Sequence, residues 1–336
     1  MNRTARISLT ASLIGSAVVL FCSNIIAQDL FNYNVLKSNA CELAQKPFVP
    51  EKLLSKNLAS LGYDDLRNIR FNPKEAIWRR ERLPFQLQFF HPGGIQKHCV
   101  KINLVEGEIV EPINFSKDFF EYHNVKIKGT IPDDIGFSGF RVHYPLNRPD
   151  YLDEVIVFQG ATYFRALGRG QRYGISARAL CINVATEEDE IFPVFNEFWI
   201  EKPDRTASHL KIYALMDCSN VVGACEFVVF PGDATVVNVN IALYARTAIT
   251  NFGIAPLTSM FWYGEADQDR HGDYRPEVHD SDGLLLFTGA GEWVWRALVN
   301  GKKLRYASFV DNGIRGFGLI QRDRRFTSYE DLEAFY

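Results

Sequence analysis

The densest run of chemically capable side chains is Tyr274-Arg275-Pro276-Glu277-Val278-His279-Asp280-Ser281-Asp282-Gly283. It gathers carboxyl groups, an imidazole and a guanidinium into one short stretch. Carboxyl groups can give or take protons, and basic neighbours can tune or orient them. A plainer reading stands beside this one. Asp280-Ser281-Asp282-Gly283 has the composition of a hairpin loop, and Glu277 and Asp282 then belong to a polar turn.

A second set of groups suits a flat, hydroxyl-rich ligand such as a sugar. Tyr163, Trp199, Trp262, Tyr263, Tyr274, Trp293 and Trp295 offer aromatic faces, and Arg165, Arg178, Arg275, Arg296 and Glu292 offer planar hydrogen-bonding groups. Trp293 and Trp295 lie two apart, so a strand would turn both indoles to one face. The competing reading is that these rings are core. His98 and His279 are far apart and lack the H-x-x-x-H spacing of a helical metal site. They read as polar or cleft residues, and no metal is expected. Gly289-Ala290-Gly291 and Gly168-Arg169-Gly170 precede no helical pattern, so neither a nucleotide nor any other cofactor is expected. Arg322-Asp323-Arg324-Arg325 reads as a solvated loop.

The elements that must position these groups come from a chain of 336 residues, enough for one large β domain or two ordinary ones. Hydrophobic residues at 47% and charged residues at 23% give a globular composition. Lys+Arg total 37 against 40 Asp+Glu, a net charge of −3 that lacks the footprint of a nucleic-acid binder. Arg3 and Arg6 precede an apolar run from Ile7 to Phe21, followed by Ala27. That is the layout of a secretory signal peptide over residues 1–27, with an uncleaved anchor as the alternative. Export leaves Cys41, Cys99, Cys181, Cys218 and Cys225. Cys218 and Cys225 flank a turn-like segment and are candidates to pair across a hairpin; the others read as small buried hydrophobes.

Helical patterning is confined to Pro50–Leu58 and a short turn at Tyr63–Arg67. Beyond Phe85 the pattern is β. Val237, Val239, Ile241 and Leu243 alternate with polar residues at period two. Further runs fall at Phe85–His91, Val100–Val105, Val125–Gly129, Phe140–Tyr144, Glu154–Phe164 and Tyr173–Ile182. Others fall at Glu197–Ile200, Leu210–Leu215, Glu226–Phe230, Met260–Tyr263, Leu284–Phe287, Trp293–Leu298, Leu304–Phe309 and Phe317–Gln321. Turn residues separate many of them. The fold class expected is all-β, a large antiparallel sandwich in one domain over 28–336.

Several segments taken in order carry a resemblance. They are Tyr63-Asp64-Asp65-Leu66-Arg67, Phe89-Phe90-His91-Pro92-Gly93, Phe158-Gln159-Gly160-Ala161-Thr162-Tyr163-Phe164-Arg165, Ala255-Pro256-Leu257-Thr258-Ser259-Met260-Phe261, the Tyr274–Gly283 run, Gly291-Glu292-Trp293-Val294-Trp295-Arg296 and Gly316-Phe317-Gly318-Leu319-Ile320-Gln321-Arg322. From about residue 30 onward the chain resembles the periplasmic glucan biosynthesis proteins of the OpgG/OpgD (MdoG/MdoD) family. The resemblance implies a galactose-mutarotase-like supersandwich with a long cleft, and a place in the making of osmoregulated periplasmic glucans, whose backbone is β-1,2-linked glucose. It also implies inverting glycoside hydrolysis in intact relatives, which needs two carboxyl groups on opposite faces of the bond.

By the same resemblance Asp280 matches the general base. Tyr163, Arg165, Arg178, Trp262, Tyr274 and Arg275 fall among the residues expected to meet substrate, as do Glu277, His279, Glu292, Trp293 and Trp295. The implied partners are a β-1,2-glucan and the inner-membrane machinery that synthesises it. Family members are usually longer: after the segment matching Tyr329-Glu330-Asp331-Leu332-Glu333 they complete the sandwich and add an immunoglobulin-like domain. The presumed general acid lies in that stretch, so the expectation is a domain incomplete at its C-terminal end, with Glu277 and Asp282 as weaker acid candidates. A glucan-binding module without catalysis and a non-functional truncated product are the alternatives.

Overall fold

A computed structural model describes residues 30–335, apart from 51–53, 128, 133, 172–173, 175, 185 and 271. The expected signal peptide at 1–27 lies outside the described residues. Two large sheets face one another. One has six strands in the order Val236–Ala245, Val221–Phe230, Leu210–Asp217, Val194–Glu201, Lys101–Glu106, Ile109–Ile113. The other has five, in the order Gln86–Phe90, Gly139–Arg148, Tyr151–Gln159, Tyr163–Ala166, Ser176–Arg178. The all-β expectation holds, with one correction to its antiparallel character. Lys101–Glu106 runs parallel to Val194–Glu201. A parallel pair needs a long crossover, and four of the five strands of the facing sheet lie in the chain between these two.

Phenylalanine joins the sheets. Phe158 lies 5.1 Å from Phe140 on its own sheet, and 5.1 Å from Phe227 and 5.5 Å from Phe198 on the other. All four rings are buried. Period-two alternation sends these rings inward and sends Arg141, Tyr163 and Arg165 to the opposite face.

The six-stranded sheet is buried on its second face too. Helix Tyr33–Ala44 lays Leu36, Ala40 and Ala44 on Val105, Trp199, Tyr213, Val222 and Ala224. Asn32 caps the helix by accepting from the Asn34 and Val35 amides. At the other end Arg246 donates to the Leu43 and Lys46 carbonyls and pairs with buried Asp217. This helix was not expected from the sequence, whose helical patterning pointed to Pro50–Leu58. There the described helix is only Lys56–Ala59. The turn at Tyr63–Arg67 is a helix, Tyr63–Asn68.

Other expectations need correcting. Glu154–Phe164 is not one strand, because Gly160 and Thr162 adopt positive φ (85° and 44°) and fold the run into a hairpin. The expected run over 173–182 yields two short strands, Ser176–Arg178 and Leu180–Ile182. No strand forms at Leu304–Phe309 or at Val125–Ile127. Cys218 and Cys225 are free. Cys225 faces Ala214 across the hairpin, whereas Cys218 follows the strand end at Asp217, so the register sets them apart. Both are buried as small hydrophobes.

His91 sits at the edge of the core, its ring edge-on to Phe115, Phe120 and Tyr122. Burial pushes its imidazole down from 6.5 to about 4, opposed by its bond to the Pro92 carbonyl. The unfolded chain therefore takes up a proton near pH 6.5 that the folded chain refuses until about pH 4. This group's contribution is whole above pH 6.5 and is lost as the pH falls towards 4, by about 3 kcal/mol. We expect His91→Phe to lose less melting temperature than the wild type between pH 7 and pH 5, read by thermal denaturation at each pH.

Candidate functional site

The chemically dense run folds into two small sheets beside the sandwich. Val278–His279 pairs with Phe261–Tyr263. Gly283–Phe287 runs between Trp293–Ala297 and Gly316–Ile320. The expected hairpin at Asp280–Gly283 is thus a crossing from one sheet to another. The chain direction is set by which partner each strand finds, and the turn-like composition only permits the bend.

The crossing is held at both ends. Asp280 donates its amide to the Met260 carbonyl (2.8 Å) and accepts the Met260 amide on its carboxylate (3.1 Å). Its side chain is exposed. Asp282 is buried and ties three segments. Its carboxylate accepts the Arg322 amide (2.6 Å), its amide donates to the Ile320 carbonyl, and its carbonyl accepts the Leu298 amide. Just before them in the chain, His279 has a fully buried side chain and lies 2.7 Å from Glu277 Oε2 and 3.8 Å from Asp282 Oδ1 through Nε2. Its ring stacks on Phe261 (5.4 Å, 17°) and meets Tyr329 edge-on. Burial pushes the Tyr329 hydroxyl up to about 12.

Glu277, His279 and Asp282 place one potential ligand atom each within 4.8 Å of the others. The 2.7 Å contact is a hydrogen-bond length. It is shorter than the roughly 3.3 Å between two ligands that each lie about 2.0 Å from a tetrahedral ion. The His279 Nδ1 also lacks a partner, whereas a ligating histidine ordinarily anchors its second nitrogen. The arrangement fits a hydrogen-bonded network better than a metal centre.

A cavity of about 240 Å³ opens beside this network, lined by Phe261, Glu265, Asp282, Trp295 and Arg322 among others. Arg322 pairs with Glu265 and lies over the Trp295 indole. The sequence reading placed Arg322 in a solvated loop. Its partners lie far back along the chain, and no local spacing could reveal them.

The other expected contacts divide. Tyr163, Arg165 and Arg178 share the outer face of the five-stranded sheet. Tyr163 faces Arg178 across the strands, whose guanidinium lies over the Tyr163 and Phe192 rings. Arg165 and Arg141 both pair with Glu154. This patch connects to Asp280 through one segment. Arg178 bonds the Pro256 carbonyl and the Thr258 hydroxyl, and that segment continues to Met260.

Trp262 and Tyr274 are exposed, at 42% and 67%, and Glu292 is exposed as well. Trp293 is exposed and stacks on Phe287 at 4.5 Å, while Trp295 on the same strand lines the cavity. Four of the expected residues are already engaged within the protein. Arg275 is forked onto Asp273, whose carboxyl it holds down at about 2, so its hydrogen-bonding plane is already engaged. Trp199 stacks under Phe31 beneath the helix, and Tyr263 is buried with its hydroxyl on the Arg275 carbonyl. His279 is buried with its Nε2 on Glu277.

The periplasmic glucan biosynthesis protein model MdoG matches residues 31–336. The chain belongs to this family. It is 48% identical over 91% of its length to a glucans biosynthesis protein G of Ralstonia nicotianae. It is 47% identical over 90% to one of Rhodopseudomonas palustris and 44% identical over 91% to one of Vibrio cholerae. The chain spans 61%, 61% and 56% of those relatives' lengths respectively.

Gly283 is a packing requirement of the crossing. A Cβ there would lie 2.5 Å from the Arg296 carbonyl and 2.6 Å from the Trp295 indole. We expect Gly283→Ala to displace Trp295 and to cost about 1–3 kcal/mol. Urea denaturation followed by tryptophan fluorescence measures both effects.

Proposed function

We propose that this chain is a periplasmic protein that binds the β-1,2-glucan made by its pathway and presents it to Asp280. The observation that carries the reading is the placement of Asp280. It is the exposed carboxylate of a turn whose other acid, Asp282, is buried, and the Met260 amide orients it. Exposed Trp262, Tyr274 and Trp293 supply faces of the kind on which sugar rings stack. The outer patch of Tyr163, Arg165 and Arg178 extends the binding surface through the Ala255–Met260 segment. Export by the residue 1–27 leader and contact with the membrane synthesis machinery belong to the same reading, as does one sandwich domain over 28–336. Among the described residues no helix is long and apolar enough to cross a membrane.

In the catalytic form of the reading Asp280 acts as general base on water in an inverting hydrolysis. The acid must then stand on the opposite face of the glycosidic bond, about 6.5–9.5 Å away. Glu277 and Asp282 do not suit that task, since His279 holds the one and Arg322 the other. Their engagement favours a second reading, in which the chain holds glucan without cleaving it.

The test uses a linear β-1,2-glucan oligosaccharide. If Asp280 is the base, Asp280→Asn lowers cleavage by about a hundredfold or more and leaves the dissociation constant within about threefold. Binding by the wild type with no cleavage selects the second reading. A wild-type chain that neither binds nor cleaves this glucan overturns both.

A further inference from the structure

We propose that His279 is a positioning residue that fixes the register of the strand pair carrying Asp280; this rests on the reading of Asp280 as the working carboxylate. The pair is short. Phe261 faces His279 and Tyr263 faces Val278, with a register shift between them. A ladder this short, with an irregularity inside it, specifies its register weakly through the backbone alone. A slip by one residue would break both bonds between Asp280 and Met260 and turn the carboxylate to the other face.

His279 supplies what the ladder lacks. Its ring stacks on Phe261, the very residue it faces across the strands. Gly264 leaves room for it: a Cβ at that position would lie 2.8 Å from His279 Cδ2 and 3.0 Å from Nε2. Nε2–H donates to Glu277, and Tyr329 meets the ring edge-on. The ring is thus held by its stacking partner, its hydrogen bond and a far segment of chain at once. Each of these contacts is lost if the strand shifts. The next residue, Asp280, inherits the constraint through one peptide bond, while its own side chain stays exposed.

Two substitutions in the full chain separate the contributions. His279→Phe keeps a ring on Phe261 and removes the donor to Glu277. His279→Gln gives up the ring and keeps an N–H within reach of that carboxylate. Amide hydrogen exchange at Met260 and Asp280 is the readout, with Val222 and Ala224 in the sandwich as internal controls. We expect His279→Phe to speed exchange at Met260 and Asp280 by about tenfold or more. His279→Gln restores protection to within about threefold of wild type, and the control amides do not change.

Glucan affinity should follow the same order, weakened in His279→Phe and recovered in His279→Gln. Wild-type exchange at Met260 and Asp280 in His279→Phe overturns the proposal, as does equal loss in both variants. If His279→Phe loses protection at Val222 and Ala224 as well, Glu277→Met removes the acceptor instead, and the same two amides decide the matter. A wild-type chain that binds no glucan defeats the functional reading, while the exchange result still judges the role of His279.

Discussion

The structure depends on a layer of phenylalanine rings between its two large sheets. Phe158 stands at the centre, touching rings from both sheets at stacked and edge-to-face angles. Aromatic rings this large remove much apolar surface from water, and their geometry restricts how the sheets can slide. Once the inner face is committed to phenylalanine, the alternate residues must face outward. On the five-stranded sheet those residues are Gln88, Arg141, Tyr163 and Arg165; Gln88, Arg141 and Arg165 form a polar network around Glu154, and Tyr163 lies under Arg178. The binding face proposed for the sandwich is therefore the reverse side of its core.

The Asp280 region is built differently. Its strands are short, and side chains rather than ladders hold it together. Asp282 joins three segments through its carboxylate, amide and carbonyl, and Arg322 links that joint to Glu265 and Trp295. Buried polar groups of this kind are costly unless satisfied, and where satisfied they select one arrangement over its neighbours. Here they bring a turn, a strand edge and a distant loop to one place. The sandwich reaches this region through the Ala255–Met260 segment, whose Pro256, Leu257 and Thr258 contact the strand Ser176–Arg178 and whose Met260 meets Asp280.

What the sequence disclosed follows from this difference. Val237 to Leu243 alternate with polar residues because Val237, Ile241 and Leu243 turn to the core between the sheets while Asn238 and Asn240 are exposed, so the pattern and the strand coincide. The helix Tyr33–Ala44 left little trace, because it lies on the sheet through alanines at two of its three buried positions. Alanine contributes almost nothing to an apolar stripe. His279 and Asp280 are neighbours with similar polarity, yet one is buried and the other exposed. That choice is made by Phe261, Gly264 and Tyr329, none of which is adjacent in sequence. The Asp280–Gly283 composition signals a bend correctly, but bend chemistry is the same whether the strands on either side pair with each other or with different partners.

The division of labour has a physical consequence for the site. A carboxylate on a long, well-laddered strand would be fixed by backbone bonds spread over many residues, and no single side chain would matter much to its position. Asp280 instead stands on a pair too short to hold itself. Its placement is concentrated in a few specific contacts: the two bonds to Met260, the His279 bond to Glu277 and the Asp282 joint. Such a region can open without disturbing the phenylalanine layer, because the contacts that hold it are not those that hold the sandwich. If Asp280 serves the glucan as proposed, the contacts that place it are set apart from those that keep the frame rigid, within one chain.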